Sequence, residues 1–237
     1  MNVPGQQYPT LEDFAANAVG LSGKIELIWQ PLYDYQIYPT AGIATLPFFQ
    51  VPQGQGFSSQ QVAAATPKTV ADTNLTQAGM LPAPQSFWVD GLEVTIDPGS
   101  SATANLFANV VPTALVAIAA ATNFASLNDY VAIAKSGLLT FSIMQKTYYQ
   151  ESPLYRFPSR TAQRVDASLN NNSATTNSIG LISPRTEGTC VRFDPGYGIA
   201  TTCNFAVNLT WPALVATAAA NARIGVFLNG WLFRAAQ

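Results

Sequence analysis

Histidine is absent from this chain of 237 residues, and charged side chains are scarce, with 11 lysines and arginines and 13 aspartates and glutamates. The chain therefore lacks the commonest general base near neutral pH, the Ser-His-Asp and Cys-His catalytic groups, and histidine-bound metals. Ordinary soluble domains carry about 25% charged residues, whereas this chain carries 10%. We expect no enzymatic activity, no cofactor, no metal site and no small-molecule substrate. We also expect a surface that is poorly protected against self-association.

Charge and hydropathy also argue against a basic surface and a membrane anchor. The formal net charge is -2, with a sequence pI near 5.0, so nothing attracts the whole chain to nucleic acid or to anionic lipid. Residues 1–7 lack the basic and apolar regions of a signal peptide. Uninterrupted apolar runs stay well short of the roughly 18 residues of a membrane span. We expect neither a signal peptide nor a transmembrane segment.

Alternating apolar and polar residues predict most of the secondary structure. This period of two is typical of strands with one buried face. It recurs at Leu92–Ile96, Leu139–Ile143 and Cys203–Trp211, where Phe205, Val207 and Leu209 are expected to face the core. The run Ile224–Phe233 is apolar on both faces and predicts an internal strand. With apolar runs at 24–29 and 43–50, we expect seven or eight strands and an all-β sandwich.

Helices and long loops complete the predicted organisation. Capping patterns predict a short helix at 10–17 and another from Ser126 to Gly137, with Leu127, Tyr130, Val131 and Ala134 on its apolar stripe. We divide the chain into an N-terminal arm with its helix, residues 1–22, and one sandwich domain, residues 23–237. Residues 53–81 are expected to form a long loop, and residues 170–178 an exposed, mobile one.

The two cysteines are separated by turn-forming residues. Asp194, Pro195 and Gly196 predict a hairpin that would place Cys190 opposite Cys203 on the core side. Two interpretations remain open, namely a pair of buried thiols or a disulfide in an oxidising environment.

Arginine is clustered once, at Arg156, Arg160 and Arg164. These side chains are candidates for contacts between subunits, with Glu151 and Asp166 as ion-pair partners, or for contacts with the phosphates of a nucleic acid. Prolines in this segment exclude one continuous helix that would align all three.

Three segments resemble a known family. Residues 73–84, 146–160 and 224–232 together are similar to the major capsid proteins of small tailless icosahedral bacteriophages, whose subunits are jelly rolls. The resemblance implies a structural virion protein that self-assembles into an icosahedral shell. A single jelly roll is preferred, because a double roll needs sixteen strands and only half that number is predicted; the double roll stays open.

The implied partners are copies of the chain and other virion proteins, with local contact to the genome or an internal membrane. The implied location is the virion, assembled in the host cytoplasm. Two alternatives remain: a minor or vertex protein of the same particle, and a carbohydrate-binding or adhesin-type sandwich. The latter would use the four tryptophans, Trp29, Trp88, Trp211 and Trp231, as stacking platforms, although core packing is the expected role of each.

Overall fold

The computed structural model describes residues 25–60, 66–97, 125–158, 162–172, 175–185, 190–217 and 221–235, with the backbone alone at 125–128, 162–172 and 175–185. The strands are β1 (Ile25–Trp29), β2 (Leu32–Tyr38), β3 (Thr45–Phe48), β4 (Ser86–Asp97), β5 (Leu138–Ile143), β6 (Lys146–Glu151), β7 (Ala162–Asn172), β8 (Thr175–Arg185), β9 (Val191–Ile199), β10 (Phe205–Thr210) and β11 (Ala222–Ala235). One helix, α1 (Ala125–Ser136), and a 3₁₀ turn at Leu154–Arg156 complete these ranges. The predicted arm and helix within residues 1–22 lie outside them.

Two antiparallel sheets contain nine of the strands. Sheet A has the order β2–β11–β4–β9, and β1 pairs with the same edge of β11 as β2 does. Sheet B has the order β3–β10–β5–β6. Aromatic contacts join the two sheets: Phe141 of β5 stacks on Phe193 of β9 at 6.4 Å between ring centroids, and Tyr38 meets Trp211 at 4.9 Å. The chain is therefore an all-β antiparallel sandwich with its core between the sheets.

The facing predicted for the strand at 203–211 is confirmed. Phe205, Val207 and Leu209 of β10 are buried, while Ala206 and Asn208 between them are partly exposed. The opposite faces follow directly from the alternation of side chains along a strand.

The prediction of an internal C-terminal strand is also confirmed. β11 pairs with β4 on one side and with β1 and β2 on the other. A bulge between Asn229 and Gly230 interrupts its pairing with β4. There the backbones approach so closely that a Cβ on Gly230 would lie 1.9 Å from the carbonyl oxygen of Trp88. Only glycine fits at this crossing.

The helix is present, and Ala134 of its predicted apolar stripe is buried, but the stripe is wrong at Tyr130 and Val131; the side chain of Leu127 lies outside the described ones. Tyr130 and Val131 are 39% and 49% exposed, whereas Asp129, Ile133 and Ala134 are buried. The buried side faces the 3₁₀ turn and β4, and the indole Nε1 of Trp211, the residue after β10, donates a 3.1 Å hydrogen bond to the carbonyl oxygen of Ile133.

The loop expected at 170–178 is also wrong. Residues 170–172 and 175–178 belong to a ribbon of two long strands, in which β7 and β8 pair without a register shift from Ala162–Arg185 to Asn172–Thr175. Within the described residues this ribbon pairs with no other strand. It is inserted between β6 of sheet B and β9 of sheet A. The polar Asn, Ser and Thr residues conceal it, since they carry little of the apolar alternation by which strands are predicted.

Candidate assembly surface

One edge strand of sheet A exposes an apolar strip. Alternate residues of β1, Ile25, Leu27 and Trp29, are 41%, 45% and 42% exposed. In the described part of the chain β1 pairs only with β11, so the backbone groups along its other edge have no strand partner there. An exposed apolar edge strand favours pairing with another chain. We call Ile25–Trp29 the β1 strip.

The β1 strip is held in place from the β11 side. The rings of Trp29 and Trp231 meet edge to face at 5.0 Å. On the opposite face of the strand Arg234 Nε lies 2.6 Å from Glu26 Oε2, with both side chains about half exposed, so the pair adds little stability. The prediction that all four tryptophans pack in the core is therefore wrong for Trp29, whereas Trp88 and Trp211 are buried.

The neighbouring strand β2 has a covered edge. Tyr35 N donates to the carbonyl oxygen of Asp72 at 2.8 Å, and an isolated bridge joins Asp34 to Thr73. The Asn74 side chain accepts from Tyr33 N at 3.0 Å through Oδ1 and donates through Nδ2 to the carbonyl of residue 31 at 2.8 Å. Residues 72–74 thus satisfy the outer backbone groups at the start of β2, at Tyr33 and Tyr35, and we call them the β2 cover.

A buried carboxylate holds the β2 cover. Asp72 accepts from Ser58 Oγ at 2.9 Å, from Ser59 N at 2.8 Å and Oγ at 2.5 Å, and from Thr69 N at 3.0 Å. Burial acts to raise its pKa, but the hydrogen bonds from Ser59, Thr69 and Ser58 outweigh it, so the pKa of Asp72 lies below its ordinary value of 3.8. Hydrogen bonds to the ionised form explain this direction.

Arg223 ties the same segment to β11. Its guanidinium lies 3.6 Å from the ring centroid of Tyr35, its Nε donates to Ser59 Oγ at 2.9 Å, and its Nη2 donates to the carbonyl oxygen of Ala71 at 3.0 Å. A fork of donors with a flat stacking face is particular to arginine. Sequence reasoning did not single out Arg223, Asp72 or Tyr35, because their positions in the chain give no sign that they meet.

A buried ion pair joins the long loop to β2. Lys68 Nζ lies 2.5 Å from Asp34 Oδ1, and the side chains are 1% and 0% exposed. Asp34 Oδ2 accepts from Phe49 N at 2.7 Å and from Gln36 Nε2 at 3.2 Å. Burial raises the pKa of Asp34, although Lys68 and these donors act in the opposite direction.

The cysteine hairpin is wrong. β9 continues through Asp194 and Pro195, and residues 193–196 form a wide irregularity opposite Asp90 of β4. Turn-forming residues also suit bulges, which explains the error. Cys190 and Cys203 lie at opposite ends of β9 and are not joined by a disulfide. Both are partly buried.

The arginine cluster is described only in part. Arg156 forms an ion pair with Glu151, which also accepts a hydrogen bond from the Tyr149 hydroxyl. Burial and then Glu151 raise the pKa of Tyr149 to about 12. Arg160 lies outside the described residues. Arg164 lies in β7, where its backbone pairs with Ser183. Contact with other subunits or with nucleic acid stays a prediction for all three arginines.

The acidic side chains and the helices of the described ranges bear on metal binding and on membrane insertion. These ranges contain no group of three or more Cys, Asp or Glu residues placed to hold a metal ion. The buried carboxylates Asp34 and Asp72 are occupied by structural hydrogen bonds. No helix within the described ranges is both long and apolar enough to cross a membrane.

Comparison with known proteins adds no relative. No family model, no curated protein and no solved structure matches the chain.

Proposed function

We propose that this chain is a self-assembling subunit of an icosahedral shell and that its sandwich is a jelly roll. Strand order carries the proposal. Counting β1 and β2 as one interrupted strand and setting aside the inserted ribbon, the described part of the sandwich has eight strands. Their pairing joins β2 to β11, β3 to β10, β4 to β9 and β5 to β6.

This nested pairing matches one long hairpin rolled into two sheets. The first strand pairs with the last, the second with the seventh, the third with the sixth and the fourth with the fifth. Such an eight-stranded arrangement is found in viral capsid domains and in lectins and cupins. It supports a single roll over a double roll, because all eight strands are used once.

Fold alone does not select among these functions, so surface and composition must do so. The chain has no histidine, the commonest metal ligand in proteins. A shell subunit needs surfaces that pair with copies of itself, and the β1 strip offers an apolar edge of this kind. The low content of charged residues also favours association of neighbouring subunits, because surface charge is what keeps monomers apart.

The proposal includes the partners and place that follow from it. The partners are other copies of the chain and other virion proteins, with local contact to the genome or an internal membrane, and the location is the virion. No catalytic role is included. A lectin-like or adhesin sandwich is the rival on the same fold, since Trp29 and Tyr155 are exposed at 42% and 61% and aromatic rings stack on sugars.

Sedimentation velocity and negative-stain electron microscopy of the purified full-length chain test the proposal. We expect closed particles or discrete oligomers at micromolar concentration. A chain that stays monomeric at high concentration and shows saturable binding on a glycan array would support the adhesin instead. Copy number per particle then separates a major shell protein, present in many copies, from a minor or vertex protein.

A further inference from the structure

We propose that Lys68 and Asp34 condense after folding to form an intramolecular isopeptide bond, which covalently joins the long loop after β3 to strand β2. The inference does not depend on the proposed function. It starts from the placement of an amine and a carboxyl group in contact, 2.5 Å apart, within the closed interior of a sandwich.

The pair is unusual in its degree of burial. Its side chains are 1% and 0% exposed, whereas lysine and aspartate are almost never fully buried as charges unless paired. Two charges removed from water carry a desolvation penalty that their mutual attraction only partly offsets. A neutral amide at the same place removes both charges, and therefore the penalty.

The two oxygens of Asp34 have different surroundings that suit this reaction. Oδ1 faces Lys68 Nζ, while Oδ2 accepts from Phe49 N at 2.7 Å and from Gln36 Nε2 at 3.2 Å. Donors of this kind stabilise the negative charge that develops on a carbonyl oxygen under attack. Burial raises the pKa of Asp34, which favours the neutral carboxylic acid needed for condensation.

The atoms balance without any co-reactant. A proton passes from Nζ to Oδ1, giving a neutral amine and a neutral acid. Nζ then attacks Cγ, and the negative charge gathers on Oδ2, opposite the two donors. A second proton passes from nitrogen to Oδ1, the Cγ–Oδ1 bond breaks, and one water leaves as the Nζ–Cγ amide forms.

Proximity lowers the barrier to the reaction. Groups held in reactive geometry reach effective concentrations of about 10⁵–10⁸ M, and exclusion of water from the closed site protects the amide from hydrolysis. Backbone bonds keep Lys68 in place, because Lys68 N donates to the carbonyl of Gln55 at 3.1 Å and its own carbonyl accepts from Gly54 N at 2.8 Å.

Intact mass spectrometry of the denatured full-length chain tests the bond. We expect the wild type to be lighter than its sequence mass by one water. Lys68→Arg keeps the positive charge but has no nucleophilic amine at neutral pH, so it should show the full mass. The matched control Lys146→Arg changes an exposed lysine and should still lose the water.

Trypsin gives a second measurement on the wild type alone, which serves if Lys68→Arg does not fold. Lys68 is the only lysine or arginine between residues 25 and 134. A linked lysine is not cleaved, so the fragment 25–135 should stay whole, and chymotrypsin should convert it into a branched pair carrying Asp34 and Lys68. Full sequence mass in the wild type, cleavage after Lys68, or water loss that persists in Lys68→Arg would each overturn the proposal.

Discussion

β1 and β2 lie end to end along the same edge of β11, yet their outer edges differ. β2 is covered by residues 72–74, which Asp72 and Arg223 hold in place through buried hydrogen bonds. β1 has no such cover within the described residues and exposes alternate apolar side chains. The same sheet edge is thus closed over one half and open over the other.

The covered and the open part of this edge are expected to affect different properties of the chain, namely its stability and its association. Polar groups hidden beside β2 must all be satisfied, so they act within the fold and change its free energy of unfolding. Exposed apolar groups on β1 contribute little to the isolated chain, but they gain free energy when another surface covers them. Changes to the β2 cover should therefore destabilise the chain, and changes to the β1 strip should alter its partners.

The largest effect is expected from removing the C-terminal half of β11, the strand that both edges share. Deleting residues 229–237 removes the partner of β1 together with Leu232 and Phe233, which are buried. Each large side chain contributes about 1.5–3 kcal/mol of burial, against a typical total of about 5–15 kcal/mol. We expect an unfolded or aggregating chain by circular dichroism. Removing residues 236–237 alone is the control, and a truncated chain that melts like the control would contradict the internal role of β11.

Opening the β2 cover should have the next largest effect. Asp72→Ala leaves the buried donors of Ser58 and Ser59, and the more exposed Thr69 N, without their acceptor, at a cost of about 3 kcal/mol. Urea unfolding should show the loss, and hydrogen exchange should show faster exchange of the Tyr35 amide, which donates to the backbone of residue 72. Asp194→Ala removes the same charge from an exposed position and should be nearly neutral. Equal effects of the two variants would mean that the cover contributes nothing specific.

Much of the fold was predictable because half-buried strands carry a period of two. That pattern predicted β4, β5 and β10 and the buried side chains Phe205, Val207 and Leu209. β2 was missed because its inward positions include the buried Asp34, while its outward positions are Tyr33 and Tyr35. A buried aspartate puts a polar residue at an inward position, where the alternating pattern of a strand predicts an apolar one.

The candidate surface and the buried pairs were beyond sequence reasoning for a different reason. Asp34 and Lys68 are distant in the chain, and so are Asp72 and Arg223, which both bind Ser59, so nothing local indicates that these groups lie together. The apolar run of β1 predicted a strand, but the sequence does not reveal that other elements leave its face uncovered. In the same way, Asp194 and Pro195 predicted a hairpin where the sheet contains a bulge.

Acid should weaken the β2 cover more than other parts of the fold. The pKa of Asp72 is lowered in the folded chain, so its contribution is fully present above its ordinary pKa and is lost as pH falls through the lower, folded-state value. We expect the urea concentration at the unfolding midpoint of the wild type to decrease as the pH is lowered below about 4. Asp72→Asn has no ionisable group at this position, so its urea midpoint should decrease less as the pH is lowered. If the midpoint of the variant decreases as much as that of the wild type, a group other than Asp72 is responsible.

The smallest effect on stability, and the sharpest test of the open edge, is expected from Leu27→Lys. Leu27 is 45% exposed, so the free energy of unfolding should change by no more than about 0.5 kcal/mol. A lysine in the middle of the β1 strip must be desolvated when another chain pairs there, and charged residues on edge strands block such pairing. Sedimentation should therefore show smaller species than the wild type. Gln150→Lys adds the same charge at an exposed position of β6, the edge strand of sheet B, and should assemble normally. If both variants assemble like the wild type, β1 is not the association edge. If both fail equally, added charge rather than its place prevents assembly, and the contrast between β1 and β2 loses its functional meaning.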